Sequence, residues 1–322
     1  VAVGREAMRY NTTGSYSTAL GFQAGYTNTT GRNTSLGYVA GFTNSTGSEN
    51  TAVGDSALYT NTASNNTGVG YAAMLSNTTG NSNTALGSNA LRANTTASQN
   101  TAVGYQSLYN NTTGTPNTAV GMSALLANTT GANNTAVGSQ GVLDANTTGS
   151  QNTGIGGGAL SANTTASNNT AVGHATLIRN TTGASNVAVG VDALNFNSTA
   201  SNNTAVGKSS LICNTTGEEN VALGSNAMLD NTTGSRNIAI GRRALQENTT
   251  AENNTAVGNS AMQNNATGAG NVAVGALAGD ALTSGHSHVA LGFCALTSAT
   301  TGEGNTALGN GALRPVSYTH LT

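Results

Sequence analysis

A seventeen-residue repeat fills nearly the whole chain, and it constrains the fold more than any other feature. Its consensus is N-T-A-V-G-x-x-A-L-x-x-N-T-T-G/A-x-x, seen at residues 100–116 and again at residues 117–133. The glycine of this phrase occurs 19 times from Gly4 to Gly309, and 15 of the 18 intervals have this same length. Repeats built from helix pairs need about 33 to 45 residues, so this period is too short for them. It fits one coil of a β-solenoid.

Each coil is predicted to hold a strand at N-T-A-V, a second strand centred on A-L, and a turn at N-T-T-G. Asn and Gly tolerate the left-handed backbone that tight turns require. Two intervals are shorter by a single residue, which is missing from that turn, after Gly31 and within residues 61–64. Another interval is longer by a single residue near Gly141, which predicts a bulge in the second strand. The predicted fold class is all-β, a parallel β-solenoid (β-roll) of about 19 coils.

The residue before each of these glycines is Val, Leu or Ile in every copy, and it is predicted to point into the solenoid. These predicted core positions include Val53, Val103, Val120, Val137, Val172, Val189, Val206, Leu223, Ile240 and Val257. The residue before them is Ala in 16 of 19 copies, and strand alternation places it on the opposite face. Such a strip of small residues is either a plain solvent face or a close contact with another chain.

Strands with small or apolar residues on both faces usually have both faces covered, which favours the contact. We therefore predict packing between subunits, most simply as a homotrimer around a threefold axis. The predicted contact residues are Ala102, Ala119, Ala136, Ala171, Ala188 and Ala205.

Asn recurs in every coil in two columns, one before T-A-V-G and one before T-T-G. Stacked amides form hydrogen-bonded ladders along the direction of stacking, and this structural role is predicted in preference to ligand binding. The predicted ladder contains Asn77, Asn94, Asn111, Asn128, Asn146, Asn163 and Asn180. The same column creates many N-x-T glycosylation motifs, which any repeat that contains N-T-T produces automatically.

The phrase N-T-A-V-G-x-x-A-L resembles the head repeats of trimeric autotransporter adhesins, which carry a similar S-V-A-I-G-x-x-A/S phrase. The fuller phrase N-T-A-V-G…N-T-T-G is similar to repeats in phage tail fibres and related surface fibres. The resemblance covers residues 1–313. It implies a left-handed parallel β-roll in a homotrimer at a cell or virion surface. These coils are longer than the usual head repeat of that family.

Composition excludes several classes of function. The chain has 10 Lys and Arg against 12 Asp and Glu, so no basic field exists to attract nucleic acid. No run of about 18 apolar residues is present, so no membrane insertion is expected in this segment. Cys213 and Cys294 are separated by almost five coils, which is too far for an intrachain disulfide.

No arrangement of residues predicts catalysis, a cofactor or a metal, so an enzyme is not expected. His286 and His288 form the only close histidine pair, and a surface turn is favoured over a weak metal site. Residues 154–159 match the letters of a dinucleotide loop but lack the βαβ context that such a loop needs. The aromatic residues lie mostly before residue 110. They either bind a sugar or receptor or only cover strand edges, and both alternatives stay open.

The predicted function is a structural and adhesive fibre segment, a rigid extracellular rod on a cell or virion surface that presents or forms a binding region. A host-surface receptor or a glycan would be its partner. One alternative is the subunit of a self-assembling extracellular filament, and another is an ice-binding solenoid, which the predicted turn position of Thr-Thr disfavours. Residues 1–313 are predicted to be one repetitive domain, and the non-repeat tail, 314–322, to be a sequence artefact resembling a translated sequencing adapter.

Overall fold

The computed structural model describes residues 1–314, which form an all-β parallel β-solenoid with a seventeen-residue coil, as predicted. The described part contains no helix, and therefore none long and apolar enough to cross a membrane. Contacts divide the chain into two compact units, Val1–Asn168 and Asn169–Thr322. Apart from Arg314, the predicted tail lies outside the described residues.

Every coil contributes one short strand. The strands of the first unit are β1 (Ala2–Val3), β2 (Thr18–Leu20), β3 (Thr34–Leu36), β4 (Thr51–Val53), β5 (Thr67–Val69), β6 (Thr84–Leu86), β7 (Thr101–Val103), β8 (Asn117–Val120), β9 (Asn134–Val137) and β10 (Thr153–Ile155). Those of the second unit are β11 (Thr170–Val172), β12 (Val187–Val189), β13 (Thr204–Val206), β14 (Val221–Leu223), β15 (Ile238–Ile240), β16 (Thr255–Val257), β17 (Val272–Val274), β18 (Val289–Leu291) and β19 (Thr306–Leu308).

Consecutive strands within each unit pair in parallel, and equivalent positions of the repeat lie side by side. In β7 and β8, for example, Ala102 pairs with Ala119 and Val103 with Val120. Thr and Val suit such strands because β-branched side chains pack well on a pleated surface. Each strand ends at the repeat glycine. Gly104 has φ +129°, and a Cβ there would lie 2.6 Å from the carbonyl oxygen of Gly121, so only glycine fits.

The second strand predicted at A-L is wrong, because this segment consists of turns with left-handed residues at alternate positions. In the coil of Gly104, Gln106 has φ 55° and Leu108 has φ 49°. The N–H groups of these left-handed residues point in turn to the preceding coil and to the next coil. The N–H of Gln106 donates to Ser88 O of the preceding coil (3.1 Å), and that of Leu108 donates to Ala124 O of the next (2.9 Å). Stacking, rather than strand geometry, satisfies this backbone.

The predicted inner and outer faces of the strand are also reversed. The side chains assigned to the core, Val53, Val103, Val120, Val137, Val172, Val189, Val206, Leu223, Ile240 and Val257, are half-buried or exposed on the outer face. The side chains assigned to a subunit contact, Ala102, Ala119, Ala136, Ala171, Ala188 and Ala205, are fully buried inside the coil. The large side chains of the core come instead from the A-L segment, at positions such as Leu108 and Leu125.

The physical reason for the reversal is the narrow interior of the coil, which has room for only one large side chain opposite the strand. Two coils carry Gly in place of the strand Ala, and both show how little space remains. A Cβ on Gly68 would lie 3.1 Å from Leu58 Cγ, and one on Gly154 would lie 2.9 Å from Val142 Cγ1. Gly154 thus makes room for Val142, which the longest coil adds to the core beside Leu143. The extra residue of that coil lies in the turn segment and not in a strand bulge.

Candidate functional site

The Asn column before T-T-G forms a buried ladder inside the coils. Asn128 Nδ2 donates to Asn111 Oδ1 (2.8 Å) and to the carbonyl oxygen of Gly131 in its own turn (3.0 Å), and Asn128 Oδ1 accepts from Asn146 Nδ2 (2.9 Å). The same pattern recurs in the second unit, where Asn214 Nδ2 donates to Asn197 Oδ1 (3.0 Å). The predicted ladder residues Asn77, Asn94, Asn111, Asn128, Asn146, Asn163 and Asn180 are all fully buried. Their amides therefore link the coils and are not available to a ligand.

This burial also makes the N-x-T motifs of this column inaccessible to glycosylation in the folded chain. Enzymatic N-glycosylation acts on the side-chain nitrogen of an accessible Asn. Asn77 Nδ2 is buried and donates to Asn61 Oδ1 (2.6 Å) and Gly80 O (2.8 Å). Glycosylation of this column would have to precede folding, and it would then prevent the ladder from forming.

The second Asn column begins each strand and bonds each coil to the next through the backbone. The N–H of Asn117 donates to Asn100 Oδ1 (2.9 Å), and Asn117 Nδ2 donates to Gly131 O (2.9 Å). His288 occupies this column in the second unit and is fully buried. Its Nδ1 accepts from the N–H of Asn305 (3.1 Å), and its Nε2 lies 2.6 Å from Gly302 O. This pattern assigns the proton of a neutral ring to Nε2, and the imidazole replaces the Asn amide.

The remaining rare residues do not assemble into a chemical site. His286 is exposed while His288 is buried, so the two do not share a face as a metal site would require. Among residues 1–314, no group of three His, Cys, Asp or Glu side chains is placed to hold a metal ion. Cys213 and Cys294 are free thiols. Burial, together with the nearby charge of Asp230, raises the pKa of the Cys213 thiol, which lowers its reactivity.

The aromatic residues of the first unit mostly cover one another. Tyr26, Phe42 and Tyr59 stack in one column, with ring centroids 4.8 and 5.0 Å apart and planes within 4°. Phe22 and Tyr38 stack in a second column at 5.3 Å. Rings whose faces are already paired offer mainly their edges, so these columns favour packing over ligand binding.

Charged groups cluster beside these rings in the first coil. Gln23 Nε2 donates to Glu6 Oε2 (2.6 Å), and this hydrogen bond, with Arg9 and Arg5 nearby, lowers the pKa of Glu6. The hydrogen bond with Tyr10 raises the pKa of Tyr26. Glu6, Gln23 and Tyr26 are half-buried and Arg9 is exposed, and together they form a surface network.

The outer face of the strands is the first candidate interaction surface. It carries two columns, the residue before the strand Ala and the residue after it. The second of these is Val, Leu or Ile throughout, and the first is Thr, Val or Ile from β2 to β19. Several of these side chains are well exposed, including Leu223 at 44% and Val274 at 41%. The face is therefore uncharged and open to solvent, with one wholly apolar column beside a column of Thr, Val and Ile that is most apolar in the second unit. The apolar column is the one that the sequence predicted to lie in the core.

The second candidate surface is a pair of adjoining grooves in the turn corner of the first five coils. The first groove lies at the loop of residues 28–33, and the second at the loop of residues 61–66. These are the two loops that lack a residue, and the full-length loops on either side form the groove walls. The lining is mostly Ser, Thr and Asn, with Tyr16 and the ion pair of Arg32 and Glu49 in the first groove.

Comparisons with known proteins do not assign either surface. No family model matches the chain. No curated protein matches it either.

Proposed function

We propose that this chain is a structural, non-enzymatic segment of a fibre on a cell or virion surface, and that it associates with copies of itself. The support from within the fold is the bonding between coils. Strands, the alternating turn segment and both Asn columns all donate hydrogen bonds to adjacent coils. Repeat proteins gain stability from such nearest-neighbour interfaces, so their extent grows with the number of repeats.

The single observation that carries self-association is the apolar outer face of the strands. In the second unit, Val187, Ile238 and Val272 lie in one column and are 36–38% exposed. The neighbouring column adds Val274 and Leu223, which are more exposed still. Contiguous exposed apolar side chains mark interaction sites on protein surfaces. An uncharged face of repeating Val and Ile complements a second copy of itself.

The proposed arrangement is a homotrimer, in which the strand faces of three copies meet around a threefold axis. Its contact residues differ from those predicted from sequence, because the Ala column lies inside each coil. The Val, Leu and Ile column takes its place. The resemblance of the repeats to adhesin heads and tail fibres supports three copies, and it also supports a location outside the cell.

Sedimentation of residues 1–314 across a concentration series tests this proposal. A discrete trimer is expected, and Ile238→Lys with Ile240→Lys should dissociate it, because buried like charges repel. Thr233→Lys with Thr250→Lys adds the same charge to exposed turns of two adjacent coils and should leave the trimer intact. A stable monomer at high concentration would contradict self-association, and open-ended growth would instead favour the filament subunit.

A second candidate, an ice-binding solenoid, gains support from the position of one Thr column. In the first unit the strand residues Thr18 to Thr153 form a regular outward column, next to the column of Val and Leu. Strand spacing of about 4.8 Å makes this a regular array of hydroxyl and methyl groups. Thermal hysteresis of the purified chain decides this candidate, since a fibre segment should show none.

A further inference from the structure

We propose that the adjoining grooves at the two short loops, here called the short-loop groove, bind a neutral oligosaccharide. The inference goes beyond the fibre role, because it holds whether or not copies of the chain associate. It starts from the two shortened coils. Both lose their residue in the same turn corner, and both create a concave surface there.

The short loops are shaped from inside the coil. Asn33 Nδ2 donates to Asn28 Oδ1 (2.8 Å), and Asn66 Nδ2 donates to Asn61 Oδ1 (3.0 Å). These bonds join the two Asn columns within a single coil, across only five residues. Buried amides hold the loops from inside. Some lining hydroxyls also bond neighbouring coils, as Ser64 Oγ does when it accepts from the N–H of Ser48 (3.0 Å). Ligand recognition therefore rests on the lining side chains that face solvent, such as Tyr16.

The two grooves adjoin through one full-length loop. Residues 44–50 contribute Ser48 and Glu49 to the first groove and Thr46 to the second. The second groove continues with Ser64 and Asn65, whose backbones are fixed by neighbouring coils. An extended ligand could follow this corner over several coils. Concave surfaces lined by a few convergent polar groups are the usual form of ligand sites.

The lining chemistry favours a sugar. Tyr16 is 90% exposed, so its ring is open to solvent. An aromatic ring combined with nearby hydroxyl groups suits a pyranose, which presents C–H groups on one face and hydroxyls at its edge. Arg32 Nη1 lies 3.0 Å from Glu49 Oε1, so the groove offers charged hydrogen-bonding groups with no net charge. That balance favours a neutral glycan over an acidic one.

The repeat itself supports a role at this place. A chain built of nearly identical coils departs from its period at few points, and such departures tend to lie at functional sites. Both deletions fall in the same unit, with one regular coil between them. Tyr16 occupies the repeat position just before the second Asn column. The next two coils carry Arg32 and Glu49 at this position.

The test is binding of residues 1–314 to an array of neutral and acidic oligosaccharides, followed by titration with the best neutral probe. Tyr16→Ala should weaken binding at least about tenfold, since it removes the only exposed ring of the groove. Tyr105→Ala removes an exposed Tyr from a regular coil of the same unit and should leave binding unchanged. Insertion of one Ser between Gly31 and Arg32 restores the full loop length and should abolish binding at the first groove.

Thermal unfolding of each variant shows whether the fold is retained, and both substitutions are at exposed positions where it should be. Binding of a neutral glycan that is lost in Tyr16→Ala and kept in Tyr105→Ala supports the proposal. The absence of neutral glycan binding overturns it. So does recognition of acidic glycans alone, or neutral binding that neither Tyr16→Ala nor the insertion weakens.

Discussion

In the first unit, the outward strand residue before the buried Ala is Thr in every strand from β2 to β10. In the second unit, five of nine strands carry Val or Ile at the same position: Val187, Val221, Ile238, Val272 and Val289. The first unit also holds both short loops and the stacked aromatic columns. The interior of the coil is nevertheless the same in both units, with buried Asn, Ala and Leu columns. Stacking fixes the inside of the coil, while the outside is free to differ.

The largest expected loss of stability comes from replacing a buried ladder Asn, and this loss should be equal in the two units. Asn128→Ala and Asn214→Ala each remove a buried side chain that makes three hydrogen bonds, and each leaves the Oδ1 of the preceding ladder Asn without its donor. We expect each to lower the free energy of unfolding by about 3 kcal/mol. Guanidinium unfolding measures the loss, and hydrogen exchange of the flanking coils locates it.

Matched controls lie two residues away in the same turns. Thr130→Ala and Thr216→Ala change exposed side chains and should alter stability by less than about 0.5 kcal/mol. If the losses of unfolding free energy in Asn128→Ala and Asn214→Ala differed by more than those of the two controls, the interiors of the two units would not be equivalent.

The repeat period, the fold class, the first strand and the Asn columns could be read from sequence, because each repeats in every coil. The orientation of the strand could not be read from residue size alone. A strand of three residues gives one inward side chain, and larger size argued for Val. The missed signal was alternation, since Asn117 and Ala119 share one face while Thr118 and Val120 share the other. Burying the second Asn column, at the start of each strand, therefore buries Ala.

The prediction of a second strand at A-L was wrong for a different reason. Leu108 and its equivalents adopt positive φ, which is unfavourable for a branched aliphatic residue in an isolated chain. Hydrogen bonds to the coils on both sides offset this cost, and no local propensity reports such a contribution. The short-loop groove was visible only as two missing residues, because the depth of a groove depends on the walls that neighbouring coils supply.

The next test exchanges the outward strand residue before the buried Ala, which is the position at which the two units differ. Val221→Thr with Ile238→Thr gives two neighbouring strands of the second unit the Thr of the first, and Thr118→Val with Thr135→Val does the reverse for two strands of the first unit. Thr and Val both suit strands, so stability should change by less than about 1 kcal/mol in either variant. Association measured by sedimentation should fall in the first variant and rise in the second. Unchanged association in both would show that the strand face is not the contact.

A smaller effect on stability is expected at the two residues that replace Asn in the second Asn column, the one at the start of each strand. His288 stands in this column in the second unit, and Ser17 stands in it in the first, where Ser17 Oγ accepts from the N–H of Asn33 (3.1 Å). His288→Asn should preserve stability within about 1 kcal/mol, because the amide reproduces both hydrogen bonds. His288→Leu leaves the Asn305 N–H and the Gly302 carbonyl unpaired and should cost about 2 kcal/mol. Thermal unfolding compares the variants, and equal stability of Asn and Leu at this position would contradict a role in the ladder.

The smallest effect is expected at two carboxylates, one in each unit. Burial raises the pKa of Asp144 and that of Asp230 above the usual 3.8. Asp144 also has a buried Oδ1 without a hydrogen-bond partner. A raised pKa in the folded state means that the folded chain holds the proton more tightly than the unfolded chain. Stability from these groups is therefore present below the ordinary pKa and is lost as pH rises through the raised value.

Asn in place of either Asp removes the charged form, so the benefit should be seen at neutral pH and vanish in acid. For Asp144→Asn we expect a rise in Tm of roughly one or two degrees at pH 7, and none near pH 3. Asp230→Asn should show the same sign and a smaller rise, because only Asp144 has a buried oxygen left unpaired. Melting curves at both pH values measure this. A gain that persists in acid would trace to packing of the amide, and the enlarged coil around Gly141 would then be the cause rather than the charge.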